Sequence, residues 1–261
     1  CAGVPKCRPH GTHAPRAGLP LTSDAMPSSP PTLPPPSSAP PRPPARRTPL
    51  KPHPTREEID ALPAWEPLPR ARIHLVETPA QAAAALAAIT AAGVVGLDTE
   101  SRPVFRKDEV SDGPHLVQLA TPDEVFLVPV GAQPPVDFLR TVLEAAELPK
   151  VGFGLRSDQS PLQRKLGIAL QGAVDLAPLV RRLGYRQDVG LKAAVAIVLG
   201  LRLAKSKKAS TSNWAQWPLS EGQIRYAADD AHAGLAVYLA MGCPQAGDGK
   251  ASPRPRPSRR G

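Results

Sequence analysis

Cysteine is scarce: three in 261 residues, at Cys1, Cys7 and Cys243, an odd number with none between. That excludes the even, closely spaced pairing of small disulfide-stapled secreted domains and points to unpaired thiols in a reducing, cytoplasmic setting. Cys7, His10 and His13 are closely spaced but lie among prolines with no strand or helix pattern beside them, so they read as tail residues rather than a zinc cluster. Long apolar runs are also missing. The longest weakly apolar stretch, residues 80–97, is mostly alanine, carries Gln81, Thr90 and Gly93, and runs into Asp98; no membrane span is expected from it. No charged start followed by an apolar run marks a secretory signal. Residues 1–50 are nearly acid-free and Arg- and Ser-rich like a transit peptide, but their fifteen prolines preclude the amphipathic helix such peptides form. The first residue is Cys1 rather than methionine, which suits a fragment, a processed form or an over-extended reading frame equally well.

Proline is abundant and unevenly placed: 20 of the 35 lie in residues 1–70, 11 in residues 71–241 and 4 beyond. Proline removes a backbone donor and fixes φ, so runs such as residues 30–36 and 40–44 favour extended segments that bury little. A disordered arm over 1–70, one folded domain over 71–241 and a disordered Arg/Pro tail over 242–261 are expected. The net charge of +9 divides into +4, +1 and +4 over those stretches. The basic balance therefore belongs mostly to the ends, where it gives diffuse attraction to phosphates.

Inside the domain the hydrophobic period changes repeatedly. Residues 72–77 alternate like a strand, Pro79 suits a first helical turn, and 80–92 is helix-forming until Gly93. Residues 94–99, 115–120 and 125–130 read as strands, 136–147 as a helix, and 151–153 as a buried strand entering a helix through Gly154. A short segment from Val174 feeds a helix over 179–183, and 191–199 and 221–241 are helical. Strands first, then alternation, predicts an α/β domain around a mixed sheet flanked by helices.

Four carboxylates sit where charge is otherwise costly. Asp98 and Glu100 end an apolar strand two residues apart, so both leave one face, a metal-site geometry that a strand ending in solvent with ordinary surface acids matches equally well. Asp158 falls on the first turn of the helix after Gly154, where an acid also suits the positive helix end. Tyr226 and Asp230 are one turn apart on the last helix, with Asp229 an alternative that spacing leaves open.

These pieces occur in one order: Gly96-Leu-Asp98-Thr-Glu100, Val151-Gly-Phe-Gly-Leu-Arg-Ser-Asp158, and Tyr226-Ala-Ala-Asp-Asp230. In that order they resemble the three exonuclease motifs of the DEDD superfamily, in the tyrosine-bearing branch with ribonuclease D and the Werner-type 3′-5′ exonuclease domains. Leu116-Val-Gln118-Leu-Ala-Thr121, Val174-Asp175-Leu176, Leu191-Lys192, Lys205-Ser206, Thr211-Ser-Asn-Trp214 and Pro218-Leu-Ser220 extend the resemblance across residues 73–239. It implies a ribonuclease H-like fold and a two-metal phosphodiester hydrolase acting on DNA or RNA 3′ ends and releasing nucleoside 5′-monophosphates. Asp98, Glu100 and Asp230 would be the main Mg²⁺ or Mn²⁺ ligands, Asp158 would complete the site partly through water, and Tyr226 would orient the attacking water. The tyrosine spacing of the family selects Asp230 over Asp229.

The chain departs from the family in the unusually basic stretch 201–214 and in lacking, after Leu239, anything like ribonuclease D's helical accessory domains. Lys192, Lys205, Lys207 and Lys208 are candidate phosphate contacts, and Phe105 or Trp214 candidate base-stacking platforms, although Trp214 and Trp217 beside Pro218 suit anchoring of the preceding loop onto the core at least as well. Aromatic residues are 4% of the chain, too few for sequence reading by stacking, so end and shape recognition is expected. A non-catalytic nucleic-acid or protein adaptor with the same fold is the alternative. Protein partners leave no readable trace, and no membrane partner is expected.

Overall fold

The chain's three-dimensional structure is a computed structural model that describes residues 50–104, 111–131, 133–204 and 207–244. Its centre is a six-stranded mixed sheet in the order β1-β4-β3-β2-β5-β6, formed by β1 (Ile73–Leu75), β2 (Val95–Glu100), β3 (Leu116–Ala120), β4 (Val125–Pro129), β5 (Lys150–Gly152) and β6 (Ala173–Asp175). β2, β3 and β4 form an antiparallel meander, while β1 joins β4, and β5 joins β2, in parallel. The helices are α1 (Arg56–Asp60), α2 (Pro79–Ala92), α3 (Val136–Leu143), α4 (Leu155–Leu166), α5 (Leu176–Arg181), α6 (Leu191–Ala194), α7 (Lys207–Ser210) and α8 (Glu221–Ala240).

Alternation along the strands supplies two cores. Val95, Leu97, Val117, Leu119, Phe126 and Val128 face α2, α3 and α4. Leu116, Ala120, Val125 and Leu127 face α8 with Ala227, Ala231 and Leu235. β3 is buried on both faces, which is why it reads as a nearly unbroken apolar run. Helix boundaries follow local chemistry. Thr78 and Gln81 form a capping box ahead of α2, with Pro79 just inside it, and Ser220 with Gln223 does the same for α8.

Several boundaries differ from the sequence reading. α3 stops at Leu143, four residues short of expectation, and the chain beyond it is fastened by Lys150, whose Nζ donates to the Ala145 carbonyl at 2.5 Å. The helix expected over 191–199 is α-helical only to Ala194 and continues as a π-helical turn, Val195–Leu199. The fourth helix-forming segment begins at Leu176, capped by Asp175, rather than at 179. α7 was not foreseen. Cys243 is disulfide-bonded, where the sequence leads one to expect an unpaired thiol.

The larger correction concerns the arm. Residues 1–49 lie outside the described residues, but residues 50–72 are ordered. α1 carries its own capping box between Thr55 and Glu58. Lys51 donates its N–H to the Gly184 carbonyl at 2.7 Å, and Ala64 bridges to Arg202. Trp65 packs edge-on against His232 of α8 at 5.5 Å, Arg225 donates to the Leu68 carbonyl, and Arg70 meets Glu221 at 3.2 Å. The stretch is a strap along α8. Replacing Trp65 with Ala should lower unfolding free energy by about 1–3 kcal/mol in urea melts, whereas an unattached arm would show no change.

Lys150 is fully buried on β5, and burial holds its ammonium at about 8 against an ordinary 10.5, with Glu147 opposing the shift. Between those values the unfolded chain binds more protons than the folded one, so this residue's contribution to stability rises with pH from 8 towards 10.5. The stability of the wild type relative to a Lys150→Met variant should accordingly increase between pH 8 and 10 in denaturant titrations.

Candidate active site

The carboxyl end of β2 lies at the middle of the sheet, and two helices converge on it from opposite faces. Gly96, Asp98 and Glu100 point towards α8. A Cβ on Gly96 would overlap the Ala231 carbonyl of α8 and reach Leu235 at 3.0 Å, so only glycine lets this helix lie so close to the strand. That approach brings Asp230, 5% exposed, over the strand end. One carboxylate oxygen from each of Asp98, Glu100 and Asp230 lies within 4.8 Å of the other two. Ionised together they repel by on the order of 3 kcal/mol per pair at an effective dielectric near 20, a cost that a divalent cation offsets. Hard carboxylate oxygens are the donors that Mg²⁺ and Mn²⁺ prefer; the residues present fit such an ion.

Tyr226 stands one turn before Asp230. Burial first, then the charges of Asp230, Glu100 and Asp98 and a hydrogen bond to Asp230, hold its phenol well above the ordinary value. It is therefore protonated at any working pH and acts as a donor. Trp214 backs its ring at 6.0 Å.

Asp158 is placed differently from the other acids. Thr99 points to the opposite face of β2, and its hydroxyl donates to Asp158 Oδ1 at 2.7 Å. Asp158 is thus tied to the strand end from the α4 side and is not one of the three clustered carboxylates. Burial raises its pKa to about 6, the Thr99 hydrogen bond opposing and the Asp175 charge adding to the shift. Asp175 fixes the turn that carries it: its Oδ1 accepts from the Ala177 N–H at 3.1 Å and from the Gly154 N–H at 3.2 Å, and Gly154 has the left-handed φ of 74° that starts α4. Asp229, the spacing alternative to Asp230, faces away from the cluster towards Trp65 and Arg225, and burial lifts it to about 6.

Comparison with known proteins decides what this arrangement belongs to. Residues 73–242, well over half of the chain, match the sequence family described as 3′-5′ exonuclease. The chain belongs to the 3′-5′ exonuclease family. It is 31% identical over 151 residues to the Mus musculus protein named bifunctional 3′-5′ exonuclease/ATP-dependent helicase WRN, covering 57% of this chain and 11% of that one. It is 30% identical over 152 residues to an Arabidopsis thaliana 3′-5′ exonuclease, covering 56% of this chain and 52% of that one. The chain thus spans about half, or much less, of the length of these relatives. The crystallised Aedes aegypti Nibbler EXO domain superposes with a TM-score of 0.57 at 28% identity, over 66% of this chain and 88% of that domain. The exonuclease fold thus accounts for the mixed sheet.

The residues expected to meet nucleic acid fare unevenly. Trp214 is 2% exposed in the α8-side core, so it anchors the loop and offers no face to a base. The exposed indole of this loop is Trp217, at 45% exposed. Lys192 is half-buried at the start of α6 and Lys208 exposed on α7. Phe105, Lys205 and the Lys207 side chain lie outside the described residues. Among the described residues no helix is long and apolar enough to cross a membrane. One contributor escaped the sequence reading: Thr99, hidden between the two motif acids.

A Gly96→Ala variant should push α8 outward. The expected outcome is a loss of about 1–3 kcal/mol in stability together with weaker Mn²⁺ binding, read by thermal unfolding with and without the ion.

Proposed function

We propose that this chain is a metal-dependent exonuclease that hydrolyses the terminal phosphodiester at 3′ ends of DNA or RNA, releasing nucleoside 5′-monophosphates with two Mg²⁺ or Mn²⁺ ions. The observation that carries the reading is the triad of carboxylates within 4.8 Å beneath a tyrosine held protonated. Asp98, Glu100 and Asp230 would hold the ions, and Asp158, fixed by Thr99 on the far side of β2, would complete the set. Bound there, divalent ions supply charge stabilisation for the attacking and leaving oxygens of an in-line displacement at phosphorus. Tyr226, its O–H donated to Asp230, would present its phenolic oxygen as a hydrogen-bond acceptor that orients the attacking water without taking its proton. Lys192, Lys205, Lys207 and Lys208 would steady the substrate's phosphates, and the exposed Trp217 is the aromatic available for a terminal base.

Single Ala replacements of Asp98 or Glu100 should reduce release of mononucleotides from 3′-labelled oligonucleotides by ~10³-fold or more, the rate equivalent of several kcal/mol of charge stabilisation, and EDTA should do the same to the wild type. Undiminished digestion by the variants would refute the assignment. Binding without any product from the wild type would instead identify an adaptor. Matched single-stranded, recessed and structured DNA and RNA ends in the same assay separate the two substrate classes.

A further inference from the structure

Gln118 sits at the centre of β3, 0% exposed, and neither its Nε2 nor its Oε1 has a hydrogen-bond partner in the protein. Burying both ends of an amide without partners is costly, and native structures rarely keep such a group without a use for it. Stability alone would favour an apolar side chain here. The residues two positions to either side on the same face, Leu116 and Ala120, are both apolar and fully packed.

The register shows what the amide faces. Gln118 is paired directly with Asp98 of β2, and with Leu127 of β4 on its other side. Directly paired residues of antiparallel strands project from the same face with Cβ atoms about 4.5–5.5 Å apart. That face is the one covered by α8, as the contact of Gly96 with Ala231 establishes. Leu127 offers no polar atom. Asp98 offers a carboxylate, and the two methylenes of glutamine are long enough to bring an amide N–H to it.

We propose that Gln118 is a positioning residue for the metal centre, its amide donating to the Asp98 carboxylate and fixing the rotation of that carboxylate when a divalent ion is held. This rests on the metal-binding reading of Asp98, Glu100 and Asp230. A metal-ligating carboxylate needs an outer partner to set its orientation, and loss of such partners typically weakens metal binding 10–100-fold. Gln118 fills that place from the neighbouring strand, so the sheet's own register aligns the ligand.

The test uses the full chain and Mn²⁺ as the probe. Gln118→Met keeps the length and shape of the side chain and removes its polar atoms. Without metal it should melt at or above the wild-type temperature, because an unpaired buried amide has been removed. The Mn²⁺ concentration for half-saturation, read by electron paramagnetic resonance and by thermal shift, should rise about tenfold or more. Identical Mn²⁺ binding by Gln118→Met and wild type would overturn the proposal while leaving the metal centre intact. Absence of Mn²⁺ binding by the wild type, or binding undiminished in Asp98→Ala, would overturn the metal reading itself. Should Gln118→Met fail to fold by circular dichroism, a crystal structure of the wild type with Mn²⁺ decides. Nε2 within about 3.2 Å of an Asp98 oxygen supports the role, and an amide bonded only to other groups refutes it.

Discussion

The contact between Gly96 and Ala231 is the constraint on which the rest of the site depends. Asp98 and Glu100 are fixed by β2, and Asp230 by α8, so only the spacing between strand and helix decides whether the three carboxylates form one group or two separated sets. A side chain at Gly96 would hold the helix off by the width of a methyl group against a carbonyl. Ala227, Ala228 and Ala231 keep the rest of this helix face small for the same reason. The α8 side of the fold is thus packed for proximity, while the opposite side is filled by larger residues such as Phe138, Leu139 and Leu162.

The site is held from both faces of one strand. Side chains alternate along β2, so Asp98 and Glu100 serve α8 while Thr99 between them reaches α4 and holds Asp158. The two kinds of control differ in chemistry. On the α8 side, like charges are crowded together and need a cation. On the α4 side, a neutral hydroxyl satisfies a buried carboxylate, and Asp175 organises the backbone that presents it.

Much of this was legible in the sequence because it depends on local spacing. Two acids at i and i+2 must share a strand face, and a tyrosine and an acid at i and i+4 must share a helix face. The choice between Asp229 and Asp230 was not legible from spacing, since both lie within reach of Tyr226; it depends on which side of α8 meets the sheet and which meets Trp65. The displacement of Asp158 needed the identity of its partner, 59 residues away. The strap was hidden by composition: proline density over 1–70 outweighed the Thr55 to Glu58 capping signal and the apolar Ile59 and Trp65 that mark an ordered segment. Trp214 suited a base-stacking platform and a core anchor alike in the sequence, and its bulk is consumed by the core. Gln118 did carry a signal, a lone amide in an otherwise apolar strand, whose meaning emerges only from its pairing with Asp98.

The strap has a consequence for what counts as the working unit. The family match begins at residue 73, but the chain ahead of it is bonded to the outer side of the helix that supplies Tyr226 and Asp230. α8 meets the sheet through Ala227, Ala231 and Leu235, while Trp65, Leu68 and Arg70 meet it from without. The family boundary and the mechanical boundary therefore do not coincide. The brace for α8 is written into the chain ahead of the first strand, so the two ends of the fold depend on each other.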